Sequence, residues 1–563
     1  MSKIRLGTML GTTMAGGLMG PQSTPPYTQT SVLEPLSTRK RHPRPPTLYD
    51  TVDAHDLDIQ FAIVAIAIAL LLFLLQVVPY LSHRWVTDES WYSTTAYSIA
   101  HGTGVKSTAI GPNDIQSRFD ARPPGTAIVI AGAFHLFGES QVPARLGSVL
   151  AGIAIVLLTF LLAYNVLSEE AAYIATFLVA TDNFIVLVSR SARPEALTVV
   201  AILGSMLLMK KYAGNSEALW AFLSGIAIGI GTMFHITVLG YVVSLAILAV
   251  VLDIRRKQFP LKGIATFSTG YLISLVPFAA WILSTPGGRE AFRIEYLKRS
   301  ANGLARVLQE GYRYHDMLGF GMVHKYGLQY IPLRLPIPLF FLVATYLLWK
   351  MKRQWFYLEV LFVVPTMLWF AYTPNKSSRY FALLAPIFAL VIGAAVSAIA
   401  TFAKPNWLLH RVMGYLVYLI VVMQLVANVF LLYGARQADY NKVGAELRSV
   451  IPQGQTAYGT ITFWLAFKDR PYVSYERTDP LMAANELGVH YFITGDPILA
   501  GGQWVENQPG DNAYRTRLRA SMNEVVARSV LVGHFPDQYY GDLRVYRFEG
   551  WQQWQLRSLQ PSK

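Results

Sequence analysis

Phe61 to Val78 reads FAIVAIAIALLLFLLQVV, eighteen residues in which Gln76 is the one strongly polar member. A helix needs about 20 predominantly apolar residues to cross the hydrocarbon core of a bilayer, so this run is a transmembrane span. Outward from it the pattern repeats. Of 563 residues, 53% are hydrophobic and 15% charged, against about 25% charged in ordinary soluble domains. Mean hydropathy is +0.34. Spans fall near 58–80, 141–164, 171–189, 195–212, 218–234, 237–252, 262–284, 335–350, 356–372, 381–402 and 412–433. That makes about eleven in a mostly α, polytopic membrane protein. The chain has no cysteine, which excludes disulfide frameworks, thiolate catalysis and cysteine-ligated metals. Much of its net charge of +14 lies beside apolar runs, where it suits anionic headgroups and topology control rather than nucleic acid.

The short-loop charges orient the spans. Residues 1–57 form a basic, disordered cytoplasmic tail with Arg39, Lys40, Arg41 and Arg44 just before the first span. Lys210 and Lys211, Arg255 to Lys257, Lys350 to Arg353, and Lys404 with Arg411 fall on the same side, which the positive-inside rule makes cytoplasmic. Two features run against this: the Glu169-Glu170 loop lacks basic residues, and the long opposite loop near 285–334 is itself basic. Thr126 to Phe137 is apolar but too short to span comfortably, and reads as a re-entrant or interfacial helix. Residues 58–435 are thus a transmembrane domain whose first external loop is 81–140. Residues 436–563 turn soluble in composition. Strand-like runs at 456–459, 471–475, 490–494 and 543–548, with a helical pattern at 479–487, predict a small extracytoplasmic α/β domain.

On this topology the ionisable residues near spans gather at the external face. The first loop opens Thr87-Asp88-Glu89-Ser90-Trp91-Tyr92 and continues as an interfacial helix to His101. Asp88 and Glu89 are either a solvated helix N-terminus or working carboxylates. Ser189-Arg190-Ser191-Ala192-Arg193-Pro194-Glu195 joins two spans with almost no loop, bringing arginine and glutamate together at the surface. The bland reading is an interfacial ion pair. His235 marks a third external turn, where a lone histidine is often structural. Lys376 and Arg379, followed by Tyr380, are spaced to bind a phosphate at the bilayer surface, and Arg299 in the long basic loop can add to them.

These residues resemble the GT-C superfamily of membrane glycosyltransferases, in the branch of protein O-mannosyltransferases and the lipid A aminoarabinose transferase. The likeness runs in order over about 58–435: Asp88-Glu89 with Trp91-Tyr92, Arg122-Pro123-Pro124-Gly125, Leu136 to Ser140 with Ala144-Arg145-Leu146, Arg193-Pro194-Glu195, Gly231 with His235, and Lys376 to Tyr380 before Pro386. It departs in the acidic Glu169-Glu170 loop and the long N-terminal tail. The resemblance implies an inverting enzyme in the plasma (inner) membrane, moving a sugar from a polyprenyl-phosphate donor to a glycan, lipid or protein acceptor. Asp88 would be the general base, with Glu89 and Glu195 as further catalytic carboxylates. Arg193, His235, Arg299, Lys376, Arg379 and Tyr380 would bind substrate. Asp88 and Glu195 could alternatively hold a divalent cation. A secondary transporter or a non-catalytic assembly protein are the other classes. A transporter would place ionisable groups mid-span at repeat interfaces.

Overall fold

The computed structural model describes residues 48–109, 122–256, 262–293, 336–351, 354–372, 378–402, 407–436, 438–476, 478–495 and 511–550. The chain forms two compact units, Met1–Ile59 and Gln60–Lys563. Of the first, the described part is the beginning of helix α1; the second holds every other element.

Each apolar run of the sequence becomes helix. In chain order these are α1 (Leu48–Val77), α2 (Thr87–Ala100), α3 (Gly125–Phe137), α4 (Gln141–Val166), α5 (Glu169–Thr181), α6 (Asn183–Ser189), α7 (Pro194–Asn215), α8 (Ala218–Phe234), α9 (Leu239–Arg255) and α10 (Lys262–Ser284). They continue with α11 (Gly288–Phe292), α12 (Pro336–Lys350), α13 (Gln354–Tyr372), α14 (Ala385–Phe402) and α15 (Trp407–Arg436). Six of these segments are long and apolar enough to cross a bilayer by themselves, seven if α5 and α6 count as one bent span. The shorter apolar helices α3, α8, α12, α13 and α14 fall below that length in their described parts. The outward surface of the long helices is apolar: Leu75 of α1 and Leu272 and Val276 of α10 are 60%, 61% and 58% exposed. In water such a surface would be an association liability; against lipid tails it costs nothing.

The α5–α6 pair bends by 57° because Asp182 interrupts the ladder. Its carboxylate accepts the N–H groups of Phe184 and Ile185 at 2.9 Å each and starts α6 anew. The break frees carbonyls that polar side chains of other helices take up. Gln76 of α1 donates to Ala180 O at 3.3 Å, and Asn428 of α15 donates to Thr181 O at 2.9 Å and to Gln76 Oε1 at 2.6 Å.

The C-terminal region contributes α16 (Tyr440–Val450), a buried 3-10 segment (Ile461–Phe467), α17 (Pro480–Glu486) and α18 (Asp511–Ala527). Its strands are β1 (Ala457–Gly459), β2 (Tyr472–Ser474), β3 (Tyr491–Thr494), β4 (Ser529–Asp537) and β5 (Gly541–Phe548), in the order β2-β1-β3-β5-β4. β1 pairs parallel with β2 and β3, while β3–β5 and β5–β4 are antiparallel. One face of this sheet closes over Tyr458, Phe492, Leu518 and Val525. The other shares a core with the segment between α1 and α4: Trp85, Ala96, Ile130 and Phe134 pack in one cluster with Tyr440, Phe463, Trp464 and Tyr540. The sequence-predicted soluble domain is therefore seated on α2 and α3 rather than tethered beside them.

Candidate active site

The site is assembled where α2, α4 and α7 begin. α2 starts at Val86 in extended conformation, with Asp88 and Glu89 in its first turn, where the helix dipole favours negative charge. α7 starts on Pro194, whose missing N–H costs nothing at that position, with Glu195 next to it. α4 brings Arg145 in its first turns.

The two adjacent carboxylates of α2 have opposite environments. Glu89 is buried. Its oxygens accept from Arg145 Nε at 2.7 Å and Nη2 at 2.8 Å, from the Ala192 N–H at 2.8 Å and from the Val86 N–H at 3.2 Å. Arg145 spends its remaining donors on the carbonyls of Tyr80, Leu81, His83 and Arg84. One ion pair thus folds the loop before α2, caps α2 and fixes the α6–α7 turn. Asp88 instead has a side chain that is 50% exposed, and its Oδ2 accepts from Arg193 Nη1 and, at 3.0 Å, from Arg379 Nη1. Burial pushes its proton affinity up, but the charges of Arg193, Arg379 and Arg122 outweigh that and hold the carboxyl well below the usual range.

Arg193 is the bridge. Its Nη1 faces Asp88, while Nε and Nη2 donate to the fully buried Glu195, the latter at 2.6 Å. Burial lowers the Arg193 pKa, but the two carboxylates carry it above the ordinary guanidinium value. Arg193 thus supplies between Asp88 and Glu195 the positive charge that a shared divalent cation would bring. Among the described residues no group of three or more His, Cys, Asp or Glu side chains converges. With Arg193 bonded to both carboxylates, the residues present do not fit a metal held jointly by Asp88 and Glu195.

His235 joins the site from the end of α8. Its Nδ1 accepts the Thr237 N–H at 3.2 Å, its ring lies 5.4 Å from that of Tyr380, and burial pulls its pKa down to about 4, so it is neutral at physiological pH. Gly125 explains the Arg122-Pro-Pro-Gly motif. A Cβ there would stand 2.6 Å from the Met233 carbonyl oxygen, so only glycine lets α3 start against the end of α8. Arg122, just before, covers the Trp91 ring at 4.5 Å. Arg379 and Tyr380 belong to a 3-10 segment, Ser378–Leu383.

Of the sequence-predicted site residues, Asp88, Glu89, Arg193, Glu195, His235, Arg379 and Tyr380 come together; Arg299 and Lys376 lie outside the described residues. Sequence reasoning gave no role to Arg84 and placed Arg190 only in the turn with Arg193 and Glu195. With Arg145, Arg193 and Arg379, Arg84 and Arg190 line a recess of about 50 Å³ beside Glu89. Burial, then the neighbouring Arg84 and Arg145, pull Arg190 down to about 9. The signal was available: each arginine stands a few residues before a helix, Arg84 three before α2 and Arg190 four before α7.

The comparisons agree with this architecture. The family of dolichyl-phosphate-mannose-protein mannosyltransferases matches residues 121–283. ArnT from Cupriavidus metallidurans in the apo state superposes with a TM-score of 0.56 at 12% identity, covering 87% of this chain and 98% of ArnT. The same protein bound to undecaprenyl phosphate gives 0.54 at 11% identity, with the same coverage. The oligosaccharyltransferase of Archaeoglobus fulgidus, tethered with an acceptor peptide, gives 0.50 at 11% identity, covering 87% of this chain and 74% of that one. A search of curated proteins finds no match. At these identities the likeness is one of fold, and the class it defines is the multi-pass GT-C membrane fold. The family match at residues 121–283 falls within the stretch whose motifs resemble that superfamily.

Proposed function

We propose that this chain transfers a sugar from a polyprenyl-phosphate carrier to a glycan, lipid or protein acceptor at the extracytoplasmic face, with inversion, using Asp88 as general base. The observation that carries the reading is the half-exposed Asp88 carboxylate held between Arg193 and Arg379 beside an arginine-lined recess. A lipid phosphate is already a good leaving group, so the site needs a carboxylate to accept a hydroxyl proton and cations to hold the departing phosphate. The acceptor oxygen bonds to the anomeric carbon as the bond from that carbon to the phosphate oxygen breaks. The proton goes to Asp88, and the carrier phosphate leaves toward Arg379 and Lys376, with Arg299 contributing from the long loop.

The pairing of Arg379 with Asp88 gives donor binding a second effect. A carrier phosphate that draws Arg379 away removes one of the charges depressing Asp88 and makes it a better base. Glu89 and Glu195, saturated by Arg145 and Arg193, act by holding those guanidiniums rather than by touching substrate. Arg193, His235 and Tyr380, gathered beside Asp88 and Glu195, are assigned to substrate binding.

The N-terminus and the loops at Arg255 and Lys352 are cytoplasmic on this reading, with the active face and the C-terminal region on the other side of the inner membrane. Ionisable groups collected at outer helix ends speak against a transporter. The purified protein, given polyprenyl-phosphate-linked sugars, should release free polyprenyl phosphate and a glycosylated acceptor. Solute uptake by vesicles containing the protein, without either product, would refute the enzyme.

A further inference from the structure

Besides the core it shares with α2, the C-terminal region reaches the start of that helix through a tight turn. Asp537 Oδ1 accepts the N–H groups of Tyr539 and Tyr540 at 2.7 and 2.6 Å, fixing the tip of the β4–β5 hairpin. The buried Tyr540 hydroxyl accepts the Trp85 N–H at 2.9 Å and donates to the Trp85 carbonyl at 3.3 Å. Trp85 is wholly buried, its indole N–H donates to Ser90 Oγ of α2 at 2.6 Å, and its ring lies 5.1 Å from the Arg145 guanidinium that clamps Glu89. Beside it, Tyr539 covers the Arg84 guanidinium at 4.4 Å. Thr462 adds a second contact, its hydroxyl 2.9 Å from that of Thr87. Two successive residues of the hairpin thus grip the two residues that lead into the first turn of α2, and both ends of that turn are bonded to the C-terminal region.

We infer that Tyr540 is a positioning residue, through which the C-terminal region sets the placement of the Asp88 carboxylate against Arg193 and Arg379. The role takes its catalytic meaning from the function proposed above, but the geometry is testable without it. An α-helical first turn anchored from outside holds its N-terminal side chains within the few tenths of an ångström that charge-assisted hydrogen bonds require. A hairpin that merely covered the loop would need no hydroxyl at position 540, because the ring already packs on Phe463 and Tyr440 at 5.8 and 6.0 Å.

The chain has no cysteine, so a single Asp88→Cys substitution reports this geometry in the purified full-length protein. The rate of iodoacetamide labelling against pH measures thiol ionisation, and the two guanidiniums should bring it below the ordinary value of about 8.5. Adding Tyr540→Phe should displace the curve upward by about half a pH unit or more, slowing labelling at neutral pH about threefold. Thr462→Val should displace it in the same direction, which keeps the test alive if the first variant does not fold. Tyr458→Phe removes a hydroxyl bonded to the Thr478 carbonyl in the separate core on the far face of the sheet, and should leave the curve in place. An unmoved curve in Tyr540→Phe, or an equal displacement in Tyr458→Phe, overturns the positioning role. Because no sugar donor is involved, that failure is distinct from wild-type turnover by Asp88→Asn, which would overturn the catalytic reading alone.

Discussion

Carboxylates gather at both ends of helix α7, Glu195 with Asp88 of α2 at one and Asp253 of α9 at the other, and the two sites are built differently. At the C-terminal end of α7 Asp253 is fully buried, accepting the Tyr212 hydroxyl through Oδ1 and the Gly263 N–H at 2.5 Å through Oδ2. Arg256 donates to the Tyr212 carbonyl at 2.6 Å and lies 5.0 Å from its ring, closing the cluster. At the N-terminal end Glu195 is closed in the same manner by Arg193, but Asp88 beyond it is half exposed and meets guanidiniums from separate segments. Saturated carboxylates fasten helices; an incompletely covered carboxylate with excess cations around it is poised to exchange partners. Chemistry is assigned to the N-terminal end of α7 on that difference.

The comparison is broken most directly at Asp88. Asp88→Asn keeps size and loses the base, so kcat should fall by about 10² to 10⁴ while the protein still inserts and melts normally. Wild-type turnover in this variant would leave the two ends of α7 functionally alike. Since Asp88 is held below the ordinary carboxylate range, it stays ionised into acid. The acid limb of the kcat/KM profile, which reports the free enzyme, should therefore lie lower than for an unperturbed aspartate. The same sign applies to stability: its contribution is present above the unfolded pKa and is lost as pH falls toward the lower folded one.

Glu89→Gln sharpens the comparison between neighbours. It leaves Arg145 buried beside a neutral partner, and should cost about 3 to 5 kcal/mol of stability, read as a lowered Tm or loss of folded protein. Any surviving folded enzyme should turn over faster than Asp88→Asn. The reverse order would move the base to Glu89. Arg379→Ala removes one charge-assisted bond to the carrier phosphate, worth about 1.5 to 3 kcal/mol, and should raise the donor KM with little change in Tm. The smallest functional effect belongs to the closed end. Asp253→Asn should lower stability by about 1 to 3 kcal/mol and leave kcat per folded molecule unchanged. A loss of kcat there would show that the two ends are coupled through α7.

Much of this was legible because hydropathy and charge are local. Every apolar run read as a span is helical, and the short Thr126–Phe137 run is a single helix of 13 residues. Four of the five strands were visible as short β-branched and aromatic runs. β4 was missed because its sequence, SVLVGHFPD, mixes Gly, His and Pro into the alternation and carries a register shift between Leu531 and Gly533. The 57° bend was not legible, since Asp182 in an apolar run reads as a blemish until its capping bonds are seen. Within the site, Asp88 and Glu89 looked alike in sequence. What separates them is Arg145, 56 residues away in the chain, and such pairings are set by packing rather than by spacing. The seating of the C-terminal region on α2 is of the same kind, with Trp85 and Tyr540 separated by 455 positions.

The bend in α5–α6 bears on how the protein is made. The carbonyls it releases are bonded by Gln76 and Asn428, side chains from the opening and the closing helices of the membrane region. A ribosome emits α5 and α6 long before Asn428 exists. An uncapped carbonyl in lipid costs several kcal/mol, so the nascent bundle holds this span unfinished until α15 inserts. Arrival of the last helix is then the event that lets the fold lock, and a chain truncated before it would present membrane proteases with an open polar seam.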